Sequence, residues 1–419
     1  MFRRKIFLTL HTLIGPTALT RFLFWAACAI VIADFLATLV TVIYQRYWYR
    51  RVLRPKFSPE YTPRCAIIVP CKGTNKNLRS NLESFFNLDY PDYVVVFVTE
   101  STEDAAVPVI RETIKNRPDG GRYVTAGISS TCAQKNHNLL AGIVLAQQAD
   151  AGVYVFADSD IKPGSAWLRE IIRPLADPKI VVTTGFRWLH AEKGSVAEWT
   201  HTYANIFIYI VFSCAFLLGG VGLWGGSMAI RREDFEKLEV AKKWSTAVVD
   251  DLSLSQIVHK KRLKGMMVSS CMAHTDELLS SVKSGIAWFE RQIMFLKVYF
   301  KQLWLFLVLP VALVCFMLIV LLPAAILFSL SETKTFFGSG GGAALVFYLG
   351  ELITVLLYPL LGSMPRFHRF LILQPFIRAT HLASYLGTYT TNTITWSGVR
   401  YRLKFFGDVK RVERPGNAQ

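Results

Sequence analysis

The chain has 419 residues, 52% of them hydrophobic, with a mean hydropathy of +0.33 and a net charge of +17. That apolar content is high for a wholly soluble protein, and the length leaves room for more than one domain. The basicity suits nucleic acid or an anionic membrane surface, but no RNA- or DNA-binding motif is present, and long apolar runs beside Lys/Arg clusters favour the membrane.

The N-terminal region, 1–60, opens with Arg3, Arg4 and Lys5. The apolar run at 22–43 contains Asp34 as its one charged residue. About 20 apolar residues span a bilayer, so this run predicts a transmembrane helix. It is too long for a signal peptide, and no small-x-small cleavage site comes after it. Tyr47, Trp48 and Tyr49 then form an aromatic belt, among Arg46, Arg50, Arg51, Arg54 and Lys56. The positive-inside rule places the next segment in the cytosol. The seven cysteines are scattered without a Cys-x-x-Cys pair, which indicates neither a disulfide framework nor a zinc site and fits reduced thiols.

Residues 61–300 read as a soluble domain. Strands are predicted at 65–70, 93–98, 122–126, 153–157, 180–184 and 227–230, and helices at 77–88, 107–116, 136–148 and 252–260. This alternation implies an α/β fold with a mostly parallel sheet covered by helices on both faces. The apolar stretch 203–218 is short for a span, and crossing would separate the acids on either side of it. It is expected to lie in the interface or beneath the site.

Residues 301–399 turn apolar again, with candidate spans at 303–330 and 344–361 joined by the glycine-rich loop 331–342. The segment 370–389 carries Arg378 and His381 and reads as re-entrant or interfacial. A basic tail, 400–419, is expected against the cytosolic leaflet. Together these features describe a multi-pass membrane protein with its soluble domain in the cytosol.

The chemistry centres on Val-Tyr-Val-Phe-Ala-Asp-Ser-Asp at 153–160. An apolar strand delivers Asp158 and Asp160 to its carboxyl end, where open α/β sheets place ligand crevices. Two carboxylates one residue apart can share a hard cation, Mg²⁺ or Mn²⁺, that keeps phosphate in its shell. Glu100 ends another strand, and Asp250-Asp251 opens a helix. One acid, then a pair, then a distant acid suits an enzyme that binds a nucleotide sugar. The first holds base or ribose, the pair a metal and diphosphate, and the last an acceptor proton. His201 and His274 read as structural histidines before substrate ligands.

Several ordered motifs point further: Pro70-Cys71-Lys72-Gly73, Leu88-Asp89-Tyr90-Pro91, Lys135 with Asn138-Leu139, Ala157-Asp158-Ser159-Asp160-Ile161, Gly226-Ser227-Met228-Ala229-Ile230, Asp250-Asp251, and Ile394-Thr395-Trp396-Ser397-Gly398. In this order they resemble the ceramide glucosyltransferases, within the wider inverting group of lipid and processive glycosyltransferases of GT-A fold. The resemblance implies a GT-A domain with flanking transmembrane helices. It implies nucleotide contacts by Lys72, Glu100, Lys135 and Asp158, a metal held by Asp160 with Asp158, and Asp251 as general base. The family's Gln/Arg-x-x-Arg-Trp motif falls on Arg291-Gln292-Ile293-Met294-Phe295. Arg291 is kept as a donor contact, while Arg-Trp has become Met-Phe, which loses the guanidinium that would grip the diphosphate and the indole that would border the acceptor pocket; Lys297, Arg400 and Arg402 are candidate replacements for the lost charge.

The resemblance implies transfer of a hexose, glucose from UDP-glucose before any other, with inversion to a lipid hydroxyl such as ceramide. The alternatives are another UDP-sugar (GlcNAc or galactose) or another lipid (diacylglycerol or a hopanoid), a processive polysaccharide synthase, and a non-catalytic membrane scaffold. The partners are thus a UDP-sugar, a membrane lipid and the bilayer, with no nucleic acid; no oligomeric state is assigned.

Overall fold

The computed structural model describes residues 18–414 except 116, 118–119, 190–192, 276–280, 317–318 and 320–339. The early basic residues 3–5, the second half of the 303–330 candidate span and most of the 331–342 loop lie outside the described residues.

A mixed sheet of seven strands forms the centre: β1 (Cys65–Pro70), β2 (Tyr93–Thr99), β3 (Gly121–Thr125), β4 (Val153–Ala157), β5 (Ile180–Leu189), β6 (Ser227–Arg231) and β7 (Lys264–Thr275). Their order is β3-β2-β1-β4-β6-β5-β7. All pairs are parallel except those of β6, which runs antiparallel between β4 and β5. The chain reverses direction of travel across the sheet at β1, so β1, β2 and β4 open a crevice at their carboxyl ends.

Strand side chains alternate between two cores. Ile67, Val95 and Val155 point to one face, under α2 (Leu78–Ser84) and α5 (Trp167–Ile172). Ile68, Val96 and Phe156 point to the other, under α4 (Gln134–Gln148) and α9 (Asp250–Lys260). Gly142 lets α4 approach closely, because a Cβ there would lie 2.4 Å from Ile68 Cγ2. The remaining elements of this layer are α3 (Val107–Ile114), α7 (Arg232–Lys237) and α8 (Val240–Trp244).

Around this layer stand α1 (Ala18–Ile43), α6 (Val196–Leu217), α10 (Val282–Tyr299), α11 (Lys301–Phe316), α12 (Gly340–Val355) and α13 (Phe367–Gly387). Among the described residues two helices, Phe24–Lys56 and Val196–Leu217, are long and apolar enough to cross a membrane. Outward apolar side chains mark α1 (Phe22, Trp25, Ile32), α11 (Phe306, Leu309) and α13 (Ile372, Phe376). More than half of α6 is buried by the fold, in line with a helix beneath the site.

Three sequence expectations change. The aromatic belt divides: Tyr47 and Trp48 are exposed, but Tyr49 is fully buried, and Tyr44 Oη donates to Met267 O at 2.7 Å, so this segment is also core. A strand, β7, and a helix, α10, occupy 264–299, where no element was expected beyond the motif at 291–295. The basic tail begins with strands that were not expected from sequence. Residues 393–413 form a three-stranded antiparallel sheet of β8 (Thr393–Trp396), β9 (Val399–Leu403) and β10 (Val409–Glu413). Val399, Tyr401 and Leu403 alternate inward with outward Arg400 and Arg402, and the inner face packs on Met294, Phe295 and Val298 of α10.

Candidate active site

Parallel pairing brings the carboxyl ends of β1, β2 and β4 to one edge, with Lys72, Glu100, Asp158 and Asp160 just beyond them. Asp158 is tied to β6 by its own N–H, which donates to Gly226 O at 3.2 Å. Lys135, on the first turn of α4, reaches Asp158 Oδ1 at 2.8 Å and Asp250 Oδ1 at 3.3 Å. Six residues named from sequence, Lys72, Lys135, Asp158, Asp160, Asp251 and Arg291, line one cavity of about 690 Å³.

Asp250 and Asp251 occupy the first turn of α9, where the helix dipole favours anions. Asp251 Oδ1 accepts from the N–H of Leu252 at 2.6 Å and Oδ2 from Gly225 N–H at 3.0 Å. Burial pushes the Asp251 carboxyl up, and the neighbouring Asp250 charge adds to this; Lys135 pulls it back, leaving it at about 7. Asp250 is also raised, chiefly by burial, against the pull of Lys135. The backbone here is packed against the acids. A Cβ on Gly225 would lie 2.2 Å from Asp250 Oδ2, and one on Gly226 would lie 2.6 Å from Asp158 Oδ2.

Glu100 sits apart from the cavity wall. Its Oε2 lies 3.5 Å from Lys72 Nζ, and its Oε1 is held by Arg414. Arg291 lines the cavity with its guanidinium 5.9 Å from the Trp396 ring centre. Of the altered motif, Phe295 reaches the wall, 6.2 Å from Trp396, while Met294 is turned into the core beneath the C-terminal sheet. An indole therefore borders this part of the cavity, from β8 rather than from position 295. The suggested charge replacements do not reach it. Lys297 donates to Thr388 O at 2.6 Å and Thr391 O at 3.0 Å at the end of α13. Arg400 and Arg402 face outward.

Arg187, not singled out from sequence, does line the cavity. It leaves the carboxyl-terminal part of β5, mostly buried, with Nη1 4.0 Å from Asp160 Oδ2. Its guanidinium lies 5.3 Å from the Trp288 ring centre and 5.9 Å from that of Trp224, a cation–π setting. A lone charge within the apolar strand run 180–189 was the available signal. His201 is buried and edge-on to Trp288, ring centres 4.2 Å apart, as a structural histidine. The His274 side chain lies outside the described residues.

The cavity lining is of two chemical kinds, charged and apolar. Lys72, Lys135, Asp158 and Asp160 supply the charged part. Phe207, Val211 and Phe212 of α6, with Leu303 and Leu307 of α11, supply the apolar part. Among the described residues no three His, Cys, Asp or Glu side chains gather as a metal cage. An all-oxygen pair such as Asp158 and Asp160 nevertheless fits a hard cation that completes its shell with phosphate and water.

Comparison with known proteins matches the model of glycosyl transferase family 21 over residues 33–408. The chain belongs to glycosyl transferase family 21. It is 36% identical over 95 residues to ceramide glucosyltransferase 1 of Caenorhabditis elegans, covering 22% of this chain and 20% of that protein. It is 31% identical over 84 residues to ceramide glucosyltransferase 3 of the same organism, covering 20% and 18%. The matched stretch thus spans about a fifth of the length of these curated relatives. Among solved structures, the mannosyltransferase PcManGT from Pyrobaculum calidifontis, in complex with GDP-Man and Mn²⁺, superposes with a TM-score of 0.51 at 17% identity. That match covers 88% of this chain and 99% of the other, and agrees with a GT-A fold.

Proposed function

We propose that this family 21 chain transfers a hexose, with inversion, from a nucleotide-diphosphate sugar to a lipid hydroxyl at the membrane surface. UDP-glucose is the proposed donor and ceramide the proposed acceptor, in keeping with the matches to ceramide glucosyltransferases. The observation that carries the reading is the single cavity that has both a charged and an apolar lining, with Asp251 on its wall. A water-soluble donor suits the first and a lipid tail the second.

Asp251 takes the proton of the acceptor hydroxyl. The hydroxyl oxygen forms the new bond to the anomeric carbon as the bond to the diphosphate breaks, and UDP leaves on the opposite face. A carboxyl near 7 is suited to that role at neutral pH. Lys135, Arg187 and Arg291 offer positive charge where the diphosphate lies. Lys72 and Glu100 contact the nucleoside. Asp158 and Asp160 would hold Mg²⁺ or Mn²⁺, which when bound neutralises charge on the departing diphosphate. Helix α1 anchors the domain, with the site facing the cytosol.

The test is UDP release by detergent-purified protein supplied with UDP-glucose, with and without ceramide. Release that depends on ceramide and disappears in Asp251→Asn supports the reading. Release that ignores the lipid, or survives in Asp251→Asn, contradicts it.

A further inference from the structure

The carboxylate assigned to the nucleoside is held from the far end of the chain. Arg414 comes just after β10, and its Nη1 donates to Glu100 Oε1 at 2.5 Å while its Nη2 donates to Gln134 Oε1 at 2.5 Å. The Arg414 and Glu100 side chains are each 16% exposed, so this is not a freely solvated surface pair. Gln134 is fixed in turn. Its Nε2 donates to Gly127 O and to Asn138 Oδ1, both at 2.8 Å, and its Oε1 also accepts from Ser129 N–H at 3.0 Å. Gln134 and Asn138 both line the cavity beside Lys135.

Arg414 is delivered to this place by a rigid mount. Val409 N–H donates to Thr246 O at 2.8 Å, Val248 N–H to Gly407 O at 2.9 Å, and Lys243 pairs with Asp408 at 2.8 Å. Tyr401 Oη accepts from Gln134 N–H at 3.2 Å. The C-terminal sheet is therefore bolted to the segments that precede α4 and α9, the two helices carrying Lys135 and Asp251.

We infer that Arg414 is a positioning residue of the donor site: by gripping Glu100 and Gln134 together it fixes the acceptor groups that meet the nucleoside. The inference rests on the proposed role of Glu100. A guanidinium fork fits this task, since it spans two acceptors at once in a fixed plane, which a lysine cannot do. With Oε1 committed to Arg414, Oε2 is left beside Lys72 to accept from a ribose hydroxyl or ring N–H.

The experiment uses the full chain in detergent, with UDP-glucose as varied donor, and UDP with Mn²⁺ in calorimetry. Loss of a charge-assisted hydrogen bond corresponds to about a tenfold effect. Arg414→Ala is expected to raise both the donor KM and the UDP Kd by about tenfold, with kcat within about twofold. Arg414→Lys is expected to fall between. In a Glu100→Gln background, Arg414→Ala is expected to add little, because the two act as one unit. Unchanged donor KM and Kd would overturn the inference. So would tighter UDP binding, a full additional loss in the Glu100→Gln background, or a fall in kcat together with the thermal midpoint, the signature of a merely structural contact. If the unsubstituted protein binds no UDP, the donor-site reading itself falls; if it binds and Arg414→Ala binds equally, only the role of Arg414 does.

Discussion

Lys135 and Asp250 form a buried ion pair, Nζ to Oδ1 at 3.3 Å, and the same ammonium also holds Asp158 at 2.8 Å. One cation thus links the acid pair after β4 to the acid pair opening α9. Burial alone pulls the Lys135 ammonium down, but Asp158, Asp250 and Asp251 together hold it above its ordinary value and keep it charged.

Removing that cation leaves buried carboxylates uncompensated. Lys135→Met is therefore expected to destabilise the protein by about 3–5 kcal/mol, read as a lowered thermal midpoint. It also removes a positive charge that draws Asp251 down, so the pH at which Asp251 ionises should rise. An unaltered midpoint would argue that Lys135 contributes nothing net.

On the proposed role of Asp251 as base, that carboxyl sets the pH dependence. Its carboxyl titrates at about 7, so the basic form grows as pH rises through that value. Transfer, measured as kcat/KM, is expected to climb from about pH 6 to 8 and then level off. Stability moves the other way. A carboxyl raised in the folded state favours folding most below its unfolded value, and that contribution is lost as pH rises through about 7. Asp251→Asn is expected to lower transfer by about 10²–10⁴-fold while UDP binding persists. A rate that falls with rising pH across this range would exclude the base role.

Gly225 and Gly226 are expected to tolerate no side chain. Gly225→Ala would drive a methyl into Asp250 and Gly226→Ala into Asp158 and Trp224. Each should cost about 1–3 kcal/mol and most of the activity, with helical content retained by circular dichroism. Full activity in either variant would show that the acids need no such close packing.

The apolar lining can be enlarged without touching the charged part. Val211→Trp, on α6, should raise the KM for the lipid acceptor severalfold while UDP affinity stays within about twofold. Equal loss of both would mean that the apolar lining is not a separate acceptor route.

Much of this was legible in the chain. The apolar strand 153–157 ending in Asp158 and Asp160 folded as read, because a central strand buried on both faces leaves periodicity little to confuse. Parallel pairing aligned the strand ends that carry Glu100, Asp158 and Asp160, while Asp250 and Asp251 arrive on α9 and Glu100 stays off the cavity wall. Other features had no local signal. Arg187 meets Asp160 only through the neighbouring positions of β5 and β4 across β6. Arg414 meets Glu100 across 314 positions of sequence. Strand β7 carries enough polar residues to mask its alternation, whereas the alternation of Val399, Tyr401 and Leu403 with Arg400 and Arg402 was present but read as a basic tail. The altered motif at Met294-Phe295 looked like a lost substrate contact, but Met294 is core and Trp396 supplies an indole from another element.

The most direct test is product identification. Detergent-purified protein would be incubated with Mg²⁺ or Mn²⁺, a panel of UDP-sugars and a total lipid extract, and lipid products read by mass spectrometry. The expected result is one lipid class, ceramide, that gains a single hexose from UDP-glucose and from no other donor as efficiently. A ladder of added sugars, or turnover of UDP-glucose without any glycolipid, would contradict transfer to a lipid hydroxyl in this cavity.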